Sequence, residues 1–199
     1  VLLDTGWDDE TDHEARMDYI RTIGGPPLSD LILMHQHLDH AGGALRIHRA
    51  TGVPMSCHPL DRERIEEARF RGAAKIQNLL NGGERIDLGE LTLEVFHAPG
   101  HTMGSLAVFV PERKALFTTD TVLGVTSTVI RPEDGDLAQY ASTLEMLRDL
   151  GADVIYPGHG PLVEDASRRI EVLIRHRPHR EEQLIAAMSR RVPNVSDIR

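Results

Sequence analysis

The chain of 199 residues carries 40% hydrophobic and 27% charged side chains, which suits one domain with a core and a polar surface. Acids outnumber bases 31 to 22, and the formal net charge of -9 argues against a nucleic-acid binder that works by bulk charge. The single cysteine, Cys57, excludes an internal disulfide framework or a Cys-rich zinc module, and no apolar run approaches the roughly 20 residues of a membrane helix.

Val1–Leu3 is an apolar strand that enters the turn Asp4-Thr5-Gly6. It opens without Met and without a basic leader, and Val192–Arg199 stops without a natural close. The chain therefore reads as a fragment, with a cytoplasmic location expected. Asp9–Ile23 is predicted helical and is stopped by Gly24-Gly25-Pro26-Pro27. Leu31–Met34 is a short buried strand, Gly42–Ala50 a helix, and Val53–Cys57 another strand. Leu60–Leu80 has helical spacing and many charges, which read as a solvated face, and Asn81-Gly82-Gly83 ends it. Leu91–Phe96 alternates as a half-buried strand. Ser105–Val110 and Ala115–Thr118 form a hairpin across Pro111–Lys114. Leu137–Leu150 is an amphipathic helix, Val154–Tyr156 a strand, and Glu164–Met188 largely helical with a break at Pro178. Alternating strands and helices predict a layered α/β domain.

The histidines are the unusual part: 11 of them, with His35-Gln36-His37-Leu38-Asp39-His40 placing four metal-binding side chains within six residues. Imidazole nitrogen and carboxylate oxygen suit Zn, Fe or Mn. His35 and His37 alternate and point the same way in an extended strand end, whereas Asp39 and His40 follow the turn. The spacing suggests two metals side by side, each with ligands from further along the chain. Candidates are His101 and His159, each in a Pro-Gly-His triplet after a predicted strand, and Asp120 at another strand end. His13, His48, His58 and His97 are isolated and read as packing or surface residues. A lone Asp-Thr-Gly triplet cannot build the paired carboxylates of an aspartic protease.

His35-x-His37-x-Asp39-His40, followed by His101, Asp120 and His159, resembles the signature of the metallo-beta-lactamase superfamily. The resemblance runs from Asp4-Thr5-Gly6 to Pro157–Gly160. It implies an α/β fold, a four-layer αββα sandwich, here without its first strands. It divides the chain into a metallo-beta-lactamase-like domain at 1–163 and a C-terminal helical extension at 164–199, the start of a winged-helix domain. His35, His37 and His101 would hold one metal, and Asp39, His40 and His159 the second. Asp120 would bridge them, with Asp4 orienting the site from behind. Two positions depart from the family pattern: Met34 stands where Thr or Ser is usual, and Thr119 where Gly is usual. The segments Thr119–Gly124 and Tyr156–Pro161, with His176-Arg177-x-x-Arg180-Glu181, further resemble the beta-lactamase-like protein 2 branch.

That resemblance implies two divalent ions, Zn2+ first and Fe or Mn next, that lower the pKa of a bridging water from about 16 toward about 7. The hydroxide so formed attacks the substrate, with Asp39 and Asp120 as the catalytic carboxylates. No Gly-x-Ser-x-Gly motif competes as a nucleophile, and Cys57 lacks a catalytic neighbourhood. The expected substrate is a small-molecule thioester, ester or lactone. Single-stranded RNA, cut by an endoribonuclease of the beta-lactamase-like protein 2 type, is the alternative, and beta-lactam hydrolysis would be a side activity. Arg168, Arg169, Arg175, Arg177 and Arg180 form the basic stretch an RNA would use, although Glu164, Asp165 and Glu171 lie among them. His176, Arg177 and Arg180 are the candidate substrate-edge residues. The pocket is expected beside Leu60–Leu80 and the Gly124–Arg131 loop. No membrane partner is expected, and the sequence leaves the oligomeric state open.

Overall fold

A computed structural model describes residues 1–175. Two sheets face each other. One is fully parallel, in the order β1 (Leu2–Leu3), β2 (Leu31–Leu33), β3 (Met55–Cys57), β4 (Asn78–Leu79). The other runs β5 (Arg85–Asp87), β6 (Thr92–His97), β7 (Leu106–Val110), β8 (Ala115–Thr119), β9 (Val154–Pro157). It is antiparallel until β9, which pairs parallel with β8.

Side-chain alternation builds the layers. On β2, Leu31 and Leu33 face outward to meet Ala41, Ala44, Ile47 and Phe70, whereas Ile32, with Met34 just beyond the strand, faces inward onto Val95, Leu106 and Val108. Every residue of β2 is buried, which is why its sequence is a continuous apolar run. The outer face of the second sheet, through Ala107, Phe109, Leu116 and Ile155, packs on Tyr140, Leu144 and Leu147 of α5 (Leu137–Asp149) and on Ala166, Ile170 and Leu173. Residues 166–175 are helical. Together these layers make the αββα sandwich. Truncating a central residue such as Ile32 to Ala costs about 2–5 kcal/mol, because it empties the contact between the sheets.

The helix α1 (Glu10–Ile23) starts where expected, with the Asp9 carboxylate accepting from the Asp12 amide at 3.1 Å. The predicted Gly42–Ala50 helix forms as α3 (Ala44–Thr51), preceded by an unpredicted turn α2 (Leu38–Ala41), so helical structure begins inside the histidine cluster.

The long helix predicted over Leu60–Leu80 is not formed. The chain makes α4 (Pro59–Arg64) and one π-helical turn (Ile65–Arg69), then reverses through Arg71 and Gly72, both at positive φ, and enters β4. Glu66 drives the change. Its carboxylate accepts from the Ile76 amide and pairs with Lys75 and Arg62, pulling the following segment back across the helix. Glu66 and Asp61 are buried, so the charges of this segment are not all a solvated face. Among the described residues, no helix is long and apolar enough to cross a membrane.

Candidate metal centre

Five strands deliver their carboxyl ends to one edge of the sandwich. Asp4 follows β1, the cluster His35–His40 follows β2, His101 follows β6, Asp120 follows β8 and His159 follows β9. The structure brings all seven residues of the predicted set together, with Asp4 behind them.

His35, His37 and His101 form one group. His37 Nδ1 lies 3.1 Å from His35 Nε2 and 3.0 Å from His101 Nε2. Asp39, His40 and His159 form the other. His159 Nε2 lies 3.2 Å from His40 Nε2 and 3.1 Å from Asp39 Oδ2. Asp120 stands between the groups. Its Oδ2 is 3.6 Å from His101 Nε2, and its Oδ1 is 3.3 Å from His40 Nε2 and 3.5 Å from His159 Nε2. Oδ1 is buried with no hydrogen-bond donor. Ring nitrogens that converge at such distances, around a carboxylate oxygen with no donor, are a donor set that fits divalent cations.

The outer nitrogens are held. His40 Nδ1 donates to Asp4 Oδ2 at 2.7 Å, and Asp4 Oδ1 accepts from the Met34 amide at 2.7 Å. His101 Nδ1 donates to the Val129 carbonyl at 2.9 Å. His37 Nε2 lies 3.4 Å from Asp134 Oδ2. His35 Nδ1 faces Thr119 Oγ1 at 3.2 Å. Each contact holds a ring in place with its other nitrogen directed inward.

Burial, with His40 and His101 nearby, pushes the His35 pKa well down, and burial lowers that of His101, so both are neutral. For His40, burial opposes the charge, yet the Asp120 and Asp4 carboxylates beside the ring prevail and raise it to about 10. Burial likewise opposes the charge on Asp120, and the neighbouring His40 brings its pKa below the ordinary value.

Local backbone explains the two Pro-Gly-His triplets. Gly100 has φ 139°, and a Cβ there would meet Tyr140 Cα at 2.5 Å. A Cβ on Gly158 would stand 2.5 Å from Asp120 Oδ1. Both loops therefore pass too close to their neighbours for any other residue.

Several contributors were not legible beforehand. Asp61, 2% exposed, accepts from the Gln36 amide (2.9 Å), Thr102 Oγ1 (2.8 Å) and the Gly104 amide (3.0 Å). It ties the His35–His37 loop to the loop after His101. Within Asp61-Arg62-Glu63-Arg64 nothing distinguishes it from a surface charge. Thr119 sits at φ 44°, and its hydroxyl donates to Asp4 Oδ2 at 3.0 Å. Its departure from the family pattern was the one signal that pointed to it.

Beside this edge lies a cleft of about 450 Å3, lined by Trp7, Asp39, Arg69, His101, Asp120 and Asp134 and by Leu123, residues 126–129 and Arg131 of the following loop. It occupies the place expected from the sequence. The predicted substrate-edge residues His176, Arg177 and Arg180 lie outside the described residues. Of the basic stretch, Arg169 is committed to the Leu123 and Thr126 carbonyls, and Arg175 to Glu171. His58 and His97 stack on each other at 4.0 Å, and His48 Nδ1 bonds the Val53 carbonyl.

The family model of the metallo-beta-lactamase superfamily matches residues 1–159. The chain belongs to this superfamily. A beta-lactamase-like protein 2 homolog of Caenorhabditis elegans is 27% identical over 188 residues, which is 94% of this chain and 61% of that protein. An atrochrysone carboxyl ACP thioesterase of Aspergillus fumigatus is 27% identical over 161 residues, 81% of this chain and 47% of the other. The crystal structure of a metallo-beta-lactamase family protein from Thermus thermophilus superposes with a TM-score of 0.76 at 25% identity, covering 92% of this chain and 72% of that one. This metallo-beta-lactamase domain thus spans only about half to three-fifths of the length of these curated relatives.

Proposed function

We propose that this metallo-beta-lactamase domain is a metal-dependent hydrolase of small acyl esters, thioesters or lactones. One observation carries the reading: the Asp120 carboxylate straddles two histidine groups, with one oxygen toward each and no hydrogen bond to Oδ1. His35, His37 and His101 would hold one cation and Asp39, His40 and His159 the other, with Asp120 shared. Zn2+ is the first choice for a mixed His/carboxylate set, and Fe2+ and Mn2+ fit the same donors.

When bound, such cations supply Lewis acidity toward an acyl oxygen and a nucleophilic water at neutral pH. The protein's own groups do the rest. Asp39 faces the cleft and can take a proton from the attacking water and return it to the departing thiol or alcohol. Asp4 and Thr119 keep His40 and His35 from turning. The cleft volume, about 450 Å3, suits a small ligand.

An aryl thioester, a lactone, a beta-lactam and labelled single-stranded RNA, each offered to the metal-loaded protein, test this reading. The expected result is thioester or lactone turnover that Asp120→Ala abolishes, with metal found in protein purified without chelator. RNA cleavage without acyl turnover would refute it.

A further inference from the structure

The cleft holds two cationic groups that the metal centre does not use. Arg69 leaves the π-helical turn beside the His35–His37 loop, and its Nε donates to the Gln36 carbonyl at 2.7 Å. The side chain is thereby anchored at its base while the two terminal guanidinium nitrogens remain available. Arg131 lines the same cleft from the opposite loop. Among the described residues neither makes a close ion pair, although Asp134 and Asp39, which line the same cleft, act on Arg69 from further off. Arg64, by contrast, is paired with Asp134 and donates to the Glu133 carbonyl. A short π-helical turn frequently marks a functional site, and this one re-aims a side chain into the cleft.

The apolar lining is equally specific. Trp7, the only tryptophan in the chain, is 55% exposed, and Leu38 and Val129 are also exposed on the cleft wall. Large apolar groups left open beside guanidinium groups held in no close ion pair describe a ligand with an anionic end and an apolar body. Guanidinium matches carboxylate by two parallel hydrogen bonds.

We propose that Arg69 and Arg131 seat a free carboxylate on the substrate, and that Trp7, Leu38 and Val129 hold its apolar portion. The substrate class is then an acyl thioester or ester bearing a second, unesterified carboxylate. This assignment rests on the hydrolase reading above. In the reaction one water adds to the acyl carbon, the C–S or C–O bond breaks, and the leaving sulfur or oxygen takes the proton. The product is a dicarboxylic acid plus a thiol or alcohol.

Trp7 supplies a binding signal that does not depend on turnover. Glutaranilic acid and its methyl ester, titrated into the metal-loaded protein while Trp7 fluorescence is followed, compare a free with a capped carboxylate. The free acid is expected to bind about 10–100-fold tighter, the worth of a charge-assisted pair. In Arg131→Gln, an exposed position where the fold is safe, that preference falls about tenfold. Arg69→Gln loses it as well, with metal content measured alongside because Arg69 also braces the Gln36 carbonyl. Equal affinity for acid and ester in the parent, or a full preference kept in Arg131→Gln, would overturn the proposal. So would a labelled single-stranded oligoribonucleotide whose binding depends on Arg131 while the acid shows no advantage. The S-phenyl thioester of glutaric acid and its methyl-capped form then test turnover separately. If neither is cleaved while acid-selective binding persists, the hydrolase reading fails and the carboxylate seat stands.

Discussion

Replacing Thr119 by glycine separates two properties that the native residue combines. Thr119 sits at φ 44°, a left-handed conformation that costs a side-chain-bearing residue about 1–2 kcal/mol. Glycine removes that cost but adds about 0.5–1 kcal/mol of freedom in the unfolded chain. It also deletes the hydrogen bond to Asp4 at 3.0 Å, a contribution of about 1 kcal/mol. The terms nearly cancel, so metal-free Thr119→Gly should unfold in urea within about 1 kcal/mol of the parent. Metal affinity has no such compensation. The hydroxyl lies 3.2 Å from His35 Nδ1 and 3.1 Å from His40 Nδ1, one ring in each histidine group. Partners that orient metal-binding rings contribute about 10–100-fold to affinity. Competition with a chromophoric chelator should therefore show a Kd raised by about that factor, and Thr119→Ser should restore most of it. A Thr119→Gly protein more stable by over about 2 kcal/mol, with parental metal affinity, would refute the reasoning: the hydroxyl would be idle and the strain uncompensated.

Asp61→Ala leaves the Gln36 amide, the Gly104 amide and the Thr102 hydroxyl without their shared acceptor. A loss of about 3 kcal/mol or more in urea unfolding is expected, with metal affinity falling alongside. His58 gives an acid-sensitive slope. Burial, then the stacked His97, lowers its pKa from 6.5 to about 4, so between those values the unfolded chain binds a proton that the folded one refuses. Stability should fall as pH drops through that window, and His58→Gln should flatten the slope. Metal uptake at pH 7–8 should release a proton, because His40, raised to about 10, holds one in the metal-free site. Calorimetry in buffers of different ionisation enthalpy measures it, and a buffer-independent heat would contradict the assignment.

Where local rules and packing agree, the sequence is a good guide. Asp9 caps α1, the apolar run of β2 is buried on both faces, and the hairpin Ser105–Thr118 forms as β7 and β8 around Pro111–Arg113. The seven convergent side chains were legible because their residue types are rare in such spacing and each follows a strand. What stayed hidden depends on tertiary contact. Helical periodicity over Leu60–Leu80 gave no hint that Glu66 would draw the Ile76 amide back and end the helix early. The short strands β4 and β5 have too few residues to show alternation. Asp61 and Arg69 look like their charged neighbours until the fold shows which carbonyls and amides they meet.

The placement of the centre on the seam between the two sheets has a consequence for assembly in time. In the proposed scheme each cation would take donors from both halves of the sandwich: His35 and His37 with His101, and Asp39 and His40 with His159. Neither sheet alone carries a complete set. A growing chain would gain its second site only after β9 has been made, since His159 comes after every other donor. Once loaded, the ions would clasp the sheets together, and their escape would require the seam to part. Metal exchange would then act as a clock for that opening, slow while the inter-sheet contacts of Ile32, Val95, Leu106 and Val108 stay intact and quick wherever they are loosened.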